Sequence, residues 1–423
     1  MDVIQELLRE VPLPRMVKIR QAFPASRIGD VAATLRQELA RDEIGRRVRP
    51  GMKVAVAVGS RGVADIPILA RVTVEELKRM GAEPFIVPAM GSHGGATADG
   101  QREVLANLGV TEESAGCPIK SSMAVVEIGR LDNGLPVYID EFAYNADGIV
   151  VINRIKPHTA FRGPNESGLV KMITIGLGKQ KGAESCHAFS FKYMAEHIPA
   201  MAGVVLAKMP VLFGVGTVEN AYDQVAKIVA VTPENLIETD RQLLLEAKAN
   251  MASLPFSQID VLVVDKIGKD ISGDGMDPNI TGRYPTPYAS GGPDIAKLAV
   301  LDLTDATHGN ANGMGTADIT TRRLVNKTNF PMTYCNGLTS TVLIPTKVPA
   351  VFECDRDAVK AAIKTCNARD LKKARVVRIQ DTLHLEEIRV SEALLEEVRA
   401  NPRLMVCGDP EELRFDDDGN LVE

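Results

Sequence analysis

Short apolar runs alternate with amphipathic segments over the first third of the chain. The runs KVAVAV at 53–58 and PFIVP at 84–88 are short and rich in β-branched residues, which is typical of buried parallel strands, and DGIVVINRI at 147–155 repeats the pattern. The periodicity between these runs predicts helices over 66–80 and 97–108, the second capped by Thr97. Strands that alternate with helices in this way predict a doubly wound, mostly parallel α/β sheet.

A second α/β unit is predicted in the C-terminal part of the chain. The helical segment 235–251 precedes a new apolar run, IDVLVVD at 259–265, and strand–helix patterns return at 350–367 and 376–399. A chain of 423 residues is long enough for two or three domains at about 150 residues each. We therefore predict an N-terminal α/β domain over residues 1–255, a C-terminal α/β domain over residues 256–423, and an active site in the cleft between them.

Composition and charge exclude several classes of protein. The formal charge of −6 and the absence of Trp argue against a nucleic-acid surface, and no apolar run approaches the roughly 20 residues that span a bilayer. The six cysteines are scattered without a CxxC pair, which argues against a zinc or iron–sulfur centre built from thiolates. The sequence predicts a cytoplasmic protein that acts on a small molecule, without nucleic-acid or membrane partners; homo-oligomerisation stays open.

Polar residues follow three of the predicted strands. Arg61 comes after the first strand, His93 lies in the Gly91-Ser92-His93 loop after the second, and His158 follows Pro157 after the third. Ligands of doubly wound sheets bind beyond the carboxyl ends of the strands, where these loops lie. Imidazole can take and give a proton near neutral pH, so the two histidines are candidates for acid–base chemistry. Each histidine read alone also fits a structural hydrogen bond in a loop.

The segment from His158 to His187 carries most of the remaining candidate chemistry. Lys171 stands in an apolar run, where desolvation would make its amine a better nucleophile, although a lysine on a helix surface also fits. Gly176 and Gly178 belong to a glycine- and lysine-rich string whose backbone amides could cradle a phosphate. The string lacks the order of residues that defines a Walker P-loop.

These motifs resemble the nickel-dependent lactate racemase family. The resemblance is carried by the GSH loop with its following threonine, the Pro-His pair after a strand, and the spacing of the apolar-embedded Lys171 from the later His187. It covers the range 1–270 well and the rest of the chain more loosely. The segment RGPNESGLVK before the lysine is longer than in the best-known members of the family and adds Arg162 and Glu166.

The resemblance implies racemisation or epimerisation of a 2-hydroxyacid by reversible hydride transfer to a nickel-pincer nucleotide. By this resemblance Lys171 would carry the cofactor, His187 would bind the nickel, and His93 and His158 would transfer protons. Arg61 would bind the substrate carboxylate, and polar residues of a C-terminal loop would contact the substrate. The residues assigned to cofactor binding besides Lys171 and His187 are Gly91, Ser92, Gly176 and Gly178, and those assigned to substrate binding besides Arg61 are Lys269, Asn279 and Arg283. Separate cofactor-biosynthesis proteins are implied as partners.

Two other functions stay open at the level of sequence. Lys171 could form a Schiff base with a carbonyl substrate, or a cofactor-free chain could bind a nucleotide or hydroxyacid without catalysis. Cys186 beside His187 suggests a Cys–His pair, although adjacent side chains usually point in different directions. The polar loops 267–292 and 307–323 also suggest a substrate with more oxygens than lactate, such as a sugar acid or a dicarboxylate.

Overall fold

The computed structural model describes residues 3–60 and 62–422, which divide into two compact units. One unit runs from Pro24 to Met251, and the other combines the residues up to Phe23 with those from Ala252 onward. The predicted division into residues 1–255 and 256–423 therefore places the segment up to Phe23 in the wrong unit. Arg61, predicted as a substrate ligand, lies outside the described residues.

The described strands, in chain order, are β1 Met16–Gln21, β2 Lys53–Val58, β3 Glu83–Pro88, β4 Val125–Arg130, β5 Pro136–Asp140, β6 Gly148–Arg154, β7 Val211–Glu219, β8 Val225–Val231, β9 Gln258–Ile267, β10 Asp294–Leu303, β11 Ile319–Thr321, β12 Ala350–Phe352, β13 Val376–Ile379, β14 Glu387–Ser391 and β15 Leu404–Val406.

The described α-helices are α1 Val3–Leu8, α2 Val31–Leu39, α3 Asp42–Gly45, α4 Ile66–Arg79, α5 Ala98–Asn107, α6 Glu112–Ala115, α7 Glu141–Tyr144, α8 Leu169–Lys171, α9 Lys179–His187, α10 Met194–Lys208, α11 Leu236–Asn250, α12 Pro278–Thr281, α13 Arg322–Lys327, α14 Phe330–Ser340, α15 Asp355–Thr365 and α16 Leu395–Ala400. Residues Met172–Gly176 form a π-helical turn between α8 and α9. No helix in the described part of the chain is long and apolar enough to cross a membrane.

A five-stranded sheet forms the centre of the unit 24–251. Its strand order is β3-β2-β6-β7-β8, and every neighbouring pair is parallel except β7 with β8. Leu35 and Leu69 from α2 and α4 belong to the core that covers one face. On the other face, a Cβ at Gly214 would meet Leu169 and Leu236, from α8 and α11. Helices thus cover both faces, which confirms the predicted doubly wound α/β sheet.

The carboxyl ends of three parallel strands are level with one another. Val58 at the end of β2 pairs with Pro88 of β3 on one side and with Ile152 of β6 on the other. The chain leaves all three strands at the same edge of the sheet, so the loops after them start side by side. A separate hairpin of β4 and β5 packs beside α9 and α10.

The other unit is built on an eight-stranded mixed sheet with the order β12-β11-β10-β9-β13-β14-β1-β15. The strands from β12 to β13 are parallel, and β14, β1 and β15 join antiparallel. β1 lies between β14 and β15, with Met16 opposite Ser391. This pairing explains why the segment that ends at Phe23 belongs to the C-terminal unit.

Candidate functional site

The loop after β3 carries His93 and is tied closely to the chain after α8. Gly91 has a φ of 58°, a left-handed value that glycine adopts without strain, and its N–H donates to Gly176 O at 3.1 Å. A Cβ on Gly176 would lie 2.8 Å from Ala89 O. The two glycines therefore allow a close approach of the two backbone segments.

His93 is exposed, and Ser92 before it is half-buried. His93 Nδ1 forms a hydrogen bond with the hydroxyl of Ser60, which follows β2. The contact joins the loops after two neighbouring parallel strands, because those strands end level with each other. The structure thus places His93 at the edge of the sheet where ligands bind in this fold class.

His158 sits at the same edge, in the loop after β6, and is half-buried. Its backbone N–H donates to Glu166 Oε2 at 2.7 Å, and its carbonyl accepts from Arg162 at 2.7 Å. Glu166 is 1% exposed and also accepts from Lys248 Nζ at 2.7 Å. Arg162 and Glu166, the additional polar residues of the longer segment, therefore hold the backbone of His158 in place.

The ring of His158 contacts Lys171 directly. Nδ1 accepts the backbone N–H of Ala160 at 3.0 Å, and Nε2 lies 2.7 Å from Lys171 Nζ. A neutral imidazole has one N–H, so the bond from Ala160 places that proton on Nε2. Nε2–H must then donate, and only an uncharged amine can accept. The hydrogen-bond pattern therefore favours Lys171 as a neutral amine.

Lys171 ends the short helix α8, at the start of the π-helical turn. Its side chain is half-buried, while Val170 and Met172 on either side are buried, in agreement with the predicted apolar setting. Single π-helical turns occur frequently at functional sites. The extra residue in this turn changes the direction in which the side chains on either side of it project.

His187 lies at the end of α9. Its Nδ1 lies 2.6 Å from the carbonyl of Ala183, so the ring proton sits on Nδ1 and Nε2 carries the lone pair. Burial lowers the pKa of His187 to about 4, which keeps the ring neutral at physiological pH. Histidines that bind metals are commonly oriented by a bond from the other nitrogen to a backbone carbonyl, as here.

Cys186, the neighbour of His187, does not form the Cys–His pair that the sequence suggested. Its thiol contacts Met194 Sδ at 3.3 Å, and burial raises its pKa to about 12. A thiol in that environment stays protonated and is a poor nucleophile.

An aromatic side chain that the sequence did not single out lies between the two histidines. The ring centroid of Phe191 is 6.0 Å from His158 and 5.2 Å from His187, and the Phe161 ring lies 4.5 Å from His158 in a tilted arrangement. His158 and His187 therefore both contact Phe191, and Lys171 contacts His158. The described residues contain no group of three or more His, Cys, Asp or Glu side chains that could hold a metal ion.

Gly176 and Gly178 have packing roles in this structure. Gly178 N donates to Thr174 O at 3.1 Å, and a Cβ at Gly178 would lie 2.4 Å from the same oxygen. Gly91 N is engaged with Gly176 O. The backbone N–H groups of Gly91 and Gly178 are therefore hydrogen-bonded to carbonyls of the protein itself. The assignment of these glycines to cofactor binding stays a prediction.

A buried ion pair lies under the loop of His93, and the sequence did not predict it. Lys179 Nζ is 3.3 Å from Asp140 Oδ2, with both side chains fully buried. Burial lowers the pKa of Lys179 and raises the pKa of Asp140, while their proximity opposes both shifts. The sequence showed only a lysine in a glycine-rich string, which looked like a surface for phosphate.

The predicted substrate residues of the C-terminal unit have partners inside that unit. Arg283 donates to Asp318 Oδ2 at 3.0 Å and to Ile295 O at 2.8 Å. Lys269 donates to Gly273 O at 2.6 Å, and Asn279 donates to Asp277 at 2.7 Å. All three residues lie in the loop between β9 and β10.

The chain is a two-unit α/β protein. His93 and His158 lie in loops at the carboxyl edge of a parallel sheet, Lys171 ends α8 and His187 ends α9. Residues 12–198 match the family described as the lactate racemase N-terminal domain. The structure is similar to that of the lactate racemase apoprotein from Thermoanaerobacterium thermosaccharolyticum, with a TM-score of 0.50 and 13% sequence identity over 88% of this chain and 99% of that one. A search of curated proteins found no match. Residues 12–198, fewer than half of the chain, are thus similar to lactate racemase N-terminal domains, and the solved apoprotein shares the fold.

Proposed function

We propose that this protein racemises or epimerises a 2-hydroxyacid, using a nickel-pincer nucleotide attached to Lys171. The observation that carries the proposal is the grouping of the Lys171 amine, His158 at 2.7 Å from it, and His187 with an unprotonated Nε2. A nucleophilic amine beside an imidazole ligand is the set of groups that a tethered metal cofactor needs from the protein.

The residues present fit the cofactor that the family implies. Lys171 would hold it through the amine, and His187 Nε2 would supply a nitrogen ligand to the nickel, fixed in direction by the bond from Nδ1 to Ala183 O. When bound, the cofactor would supply a reversible hydride acceptor next to the substrate. The wall formed by Phe161 and Phe191 would limit the access of water to that side of the site.

The histidines would move the proton of the substrate hydroxyl. One takes this proton as the hydroxyl carbon becomes a carbonyl, and the other returns a proton when the opposite stereoisomer forms. Ser60 orients the His93 ring through Nδ1, and Ala160 orients the His158 ring in the same way. Arg61 would bind the substrate carboxylate with its planar guanidinium.

Substrate selection is proposed for the C-terminal unit. Lys269, Asn279 and Arg283 are half-buried and carry side-chain donors that could bind oxygens of the substrate. The present contact of Arg283 with Asp318 would have to exchange for a substrate carboxylate.

The test uses protein produced together with the cofactor-making enzymes. We expect an increase in intact mass localised to Lys171 and about one nickel per chain, with nickel lost in His187→Ala. His384→Ala is the matched control, because its side chain is 66% exposed and lies in the other unit. An unmodified, nickel-free chain from a host that loads a control racemase would rule the proposal out.

A second function is favoured by the same neutral amine. Lys171 could form a Schiff base with a 2-ketoacid, since an uncharged lysine is the reactive form for that chemistry. Borohydride treatment with a 2-ketoacid would then add to Lys171 of the unloaded protein the mass of the ketoacid less one oxygen atom, because imine formation releases water and reduction adds two hydrogens. Trapping with no nickel uptake would favour this function over racemisation.

A further inference from the structure

The first residue of α9 is a lysine whose side chain is fully buried. Lys179 Nζ donates to Gln101 Oε1 at 2.9 Å, lies 3.3 Å from Asp140 Oδ2, and donates to Pro88 O at the end of β3. The oxygens of Pro88 and Gln101 accept hydrogen bonds from the amine, and Asp140 Oδ2 supplies an opposite charge at ion-pair distance. The surroundings of Lys179 are therefore built for a charged lysine in spite of its burial.

Gln101 also forms hydrogen bonds with the loop of His93. Its side chain is 0% exposed, and Nε2 donates to Gly91 O at 2.9 Å and to His93 O at 3.2 Å. An ammonium group can only donate, so Oε1 of Gln101 must face Lys179. The amide group is thereby held in one orientation, with its two N–H groups facing the loop carbonyls.

The short helix α9 thus contains both His187 and the lysine that is linked to the His93 loop. α9 begins with Lys179 and ends with His187, and Lys179 reaches the backbone of His93 through a single side chain. A buried ion pair is weak evidence for stability alone, because apolar residues of similar volume often stabilise a fold equally well. Apolar residues could not orient Gln101 toward the carbonyls of the His93 loop, whereas Lys179 does.

We propose that Lys179 and Gln101 are positioning residues that fix the backbone of His93 relative to the helix that carries His187. The inference rests on the proposed function, in which His93 transfers a proton and His187 binds the metal. Neither Lys179 nor Gln101 is assigned a contact with substrate or cofactor.

Gln101→Met tests the proposal with a side chain of similar length that makes none of the three hydrogen bonds. Gln101→Glu is the second variant, since its oxygens can still accept from Lys179 but cannot donate to Gly91 O or His93 O when ionised. Gln37→Glu, at an exposed position of α2, is the matched control for the added charge. Each variant is compared with the wild-type chain by the hydrogen exchange of residues 91–97, by NMR of isotope-labelled histidine, and by steady-state kinetics of the loaded enzyme.

We expect both Gln101 variants to raise hydrogen exchange in residues 91–97 by tenfold or more and to shift the His93 signal. The His187 signal and the nickel content should stay as in the wild type, and kcat should fall at least tenfold with KM within twofold. Gln37→Glu should match the wild type in every measurement. Unchanged exchange and an unchanged His93 signal in folded Gln101 variants would overturn the proposal, and so would a faster-exchanging loop with wild-type kcat.

The wild-type enzyme separates this inference from the function on which it rests. A loaded wild-type chain that racemises no hydroxyacid contradicts the proposed function by itself. The exchange and the His93 signal then decide the positioning role, because neither depends on activity.

Discussion

His158 Nε2 lies 2.7 Å from Lys171 Nζ, while Nδ1 of the same ring is bound to the amide of Ala160. The ring can therefore offer Lys171 only a donor, and a donor destabilises an ammonium ion. An uncharged lysine is the form that attacks electrophiles, and most lysines are protonated at neutral pH. The contact favours the uncharged, nucleophilic form of Lys171, which its apolar position in the sequence only suggested.

Lys171 of the unloaded protein should react with a small activated ester faster at pH 7 than an exposed lysine of the same chain. Lys181, which is exposed on α9, serves as the internal standard, and peptide mass spectrometry measures both sites. We expect an excess of about tenfold for Lys171, because an amine held in its neutral form needs no prior deprotonation before it reacts. His158→Glu offers an acceptor instead of a donor, stabilises the ammonium form and should abolish the excess. A Lys171 that reacts more slowly than Lys181 at pH 7 in the wild type would contradict the neutral amine.

His187 should make the stability of the unloaded protein depend on pH in the acid range. Burial lowers its pKa from 6.5 to about 4 in the folded chain, so the unfolded chain binds the proton more readily between these values. The contribution of His187 to stability is full above pH 6.5 and is lost as the pH falls to about 4, and each unit of pKa difference is worth about 1.4 kcal/mol. Urea unfolding at several pH values measures the slope.

His187→Gln removes this titration and keeps a side chain of similar polarity. We expect the variant to show a smaller loss of unfolding free energy between pH 6.5 and pH 4 than the wild type. Identical slopes in the two proteins would show that the ring is not desolvated in the fold.

Sequence patterns predicted the elements that present the site, because those elements are local and strongly apolar. The strand at 53–58 has the predicted bounds, the strand at 84–88 begins one residue earlier, and the helix predicted from 66 ends one residue earlier. The strand at 16–21 was missed, because its partner β14 lies near the other end of the chain. Pairing at that distance leaves no local signal, and it also determines the true composition of the second unit.

The side chains of the site were predicted as separate residues, and their arrangement was not. His158 and Lys171 were each assigned a role, but their direct contact depends on the loop held by Glu166 and on the π-helical turn that follows Lys171. Lys179 was read as part of a phosphate-binding string, because a sequence does not show that two carbonyl oxygens and a carboxylate converge on its amine. Residues that act through other residues are recognised only after the fold brings them together.

Two glycine-to-alanine changes should affect the unit 24–251 with opposite signs. A Cβ at Gly176 would lie 2.8 Å from Ala89 O, a backbone atom that can only move together with the loop of His93. Gly203 is exposed on α10, and a Cβ there meets no atom within 4 Å. Gly176→Ala should therefore lower the free energy of unfolding by about 1–3 kcal/mol, as overpacking does. Gly203→Ala should raise it by up to about 1 kcal/mol, because alanine is the better helix former. Urea unfolding measures both, and a Gly176→Ala chain as stable as Gly203→Ala would show that the loop and the π-helical turn are not in close contact.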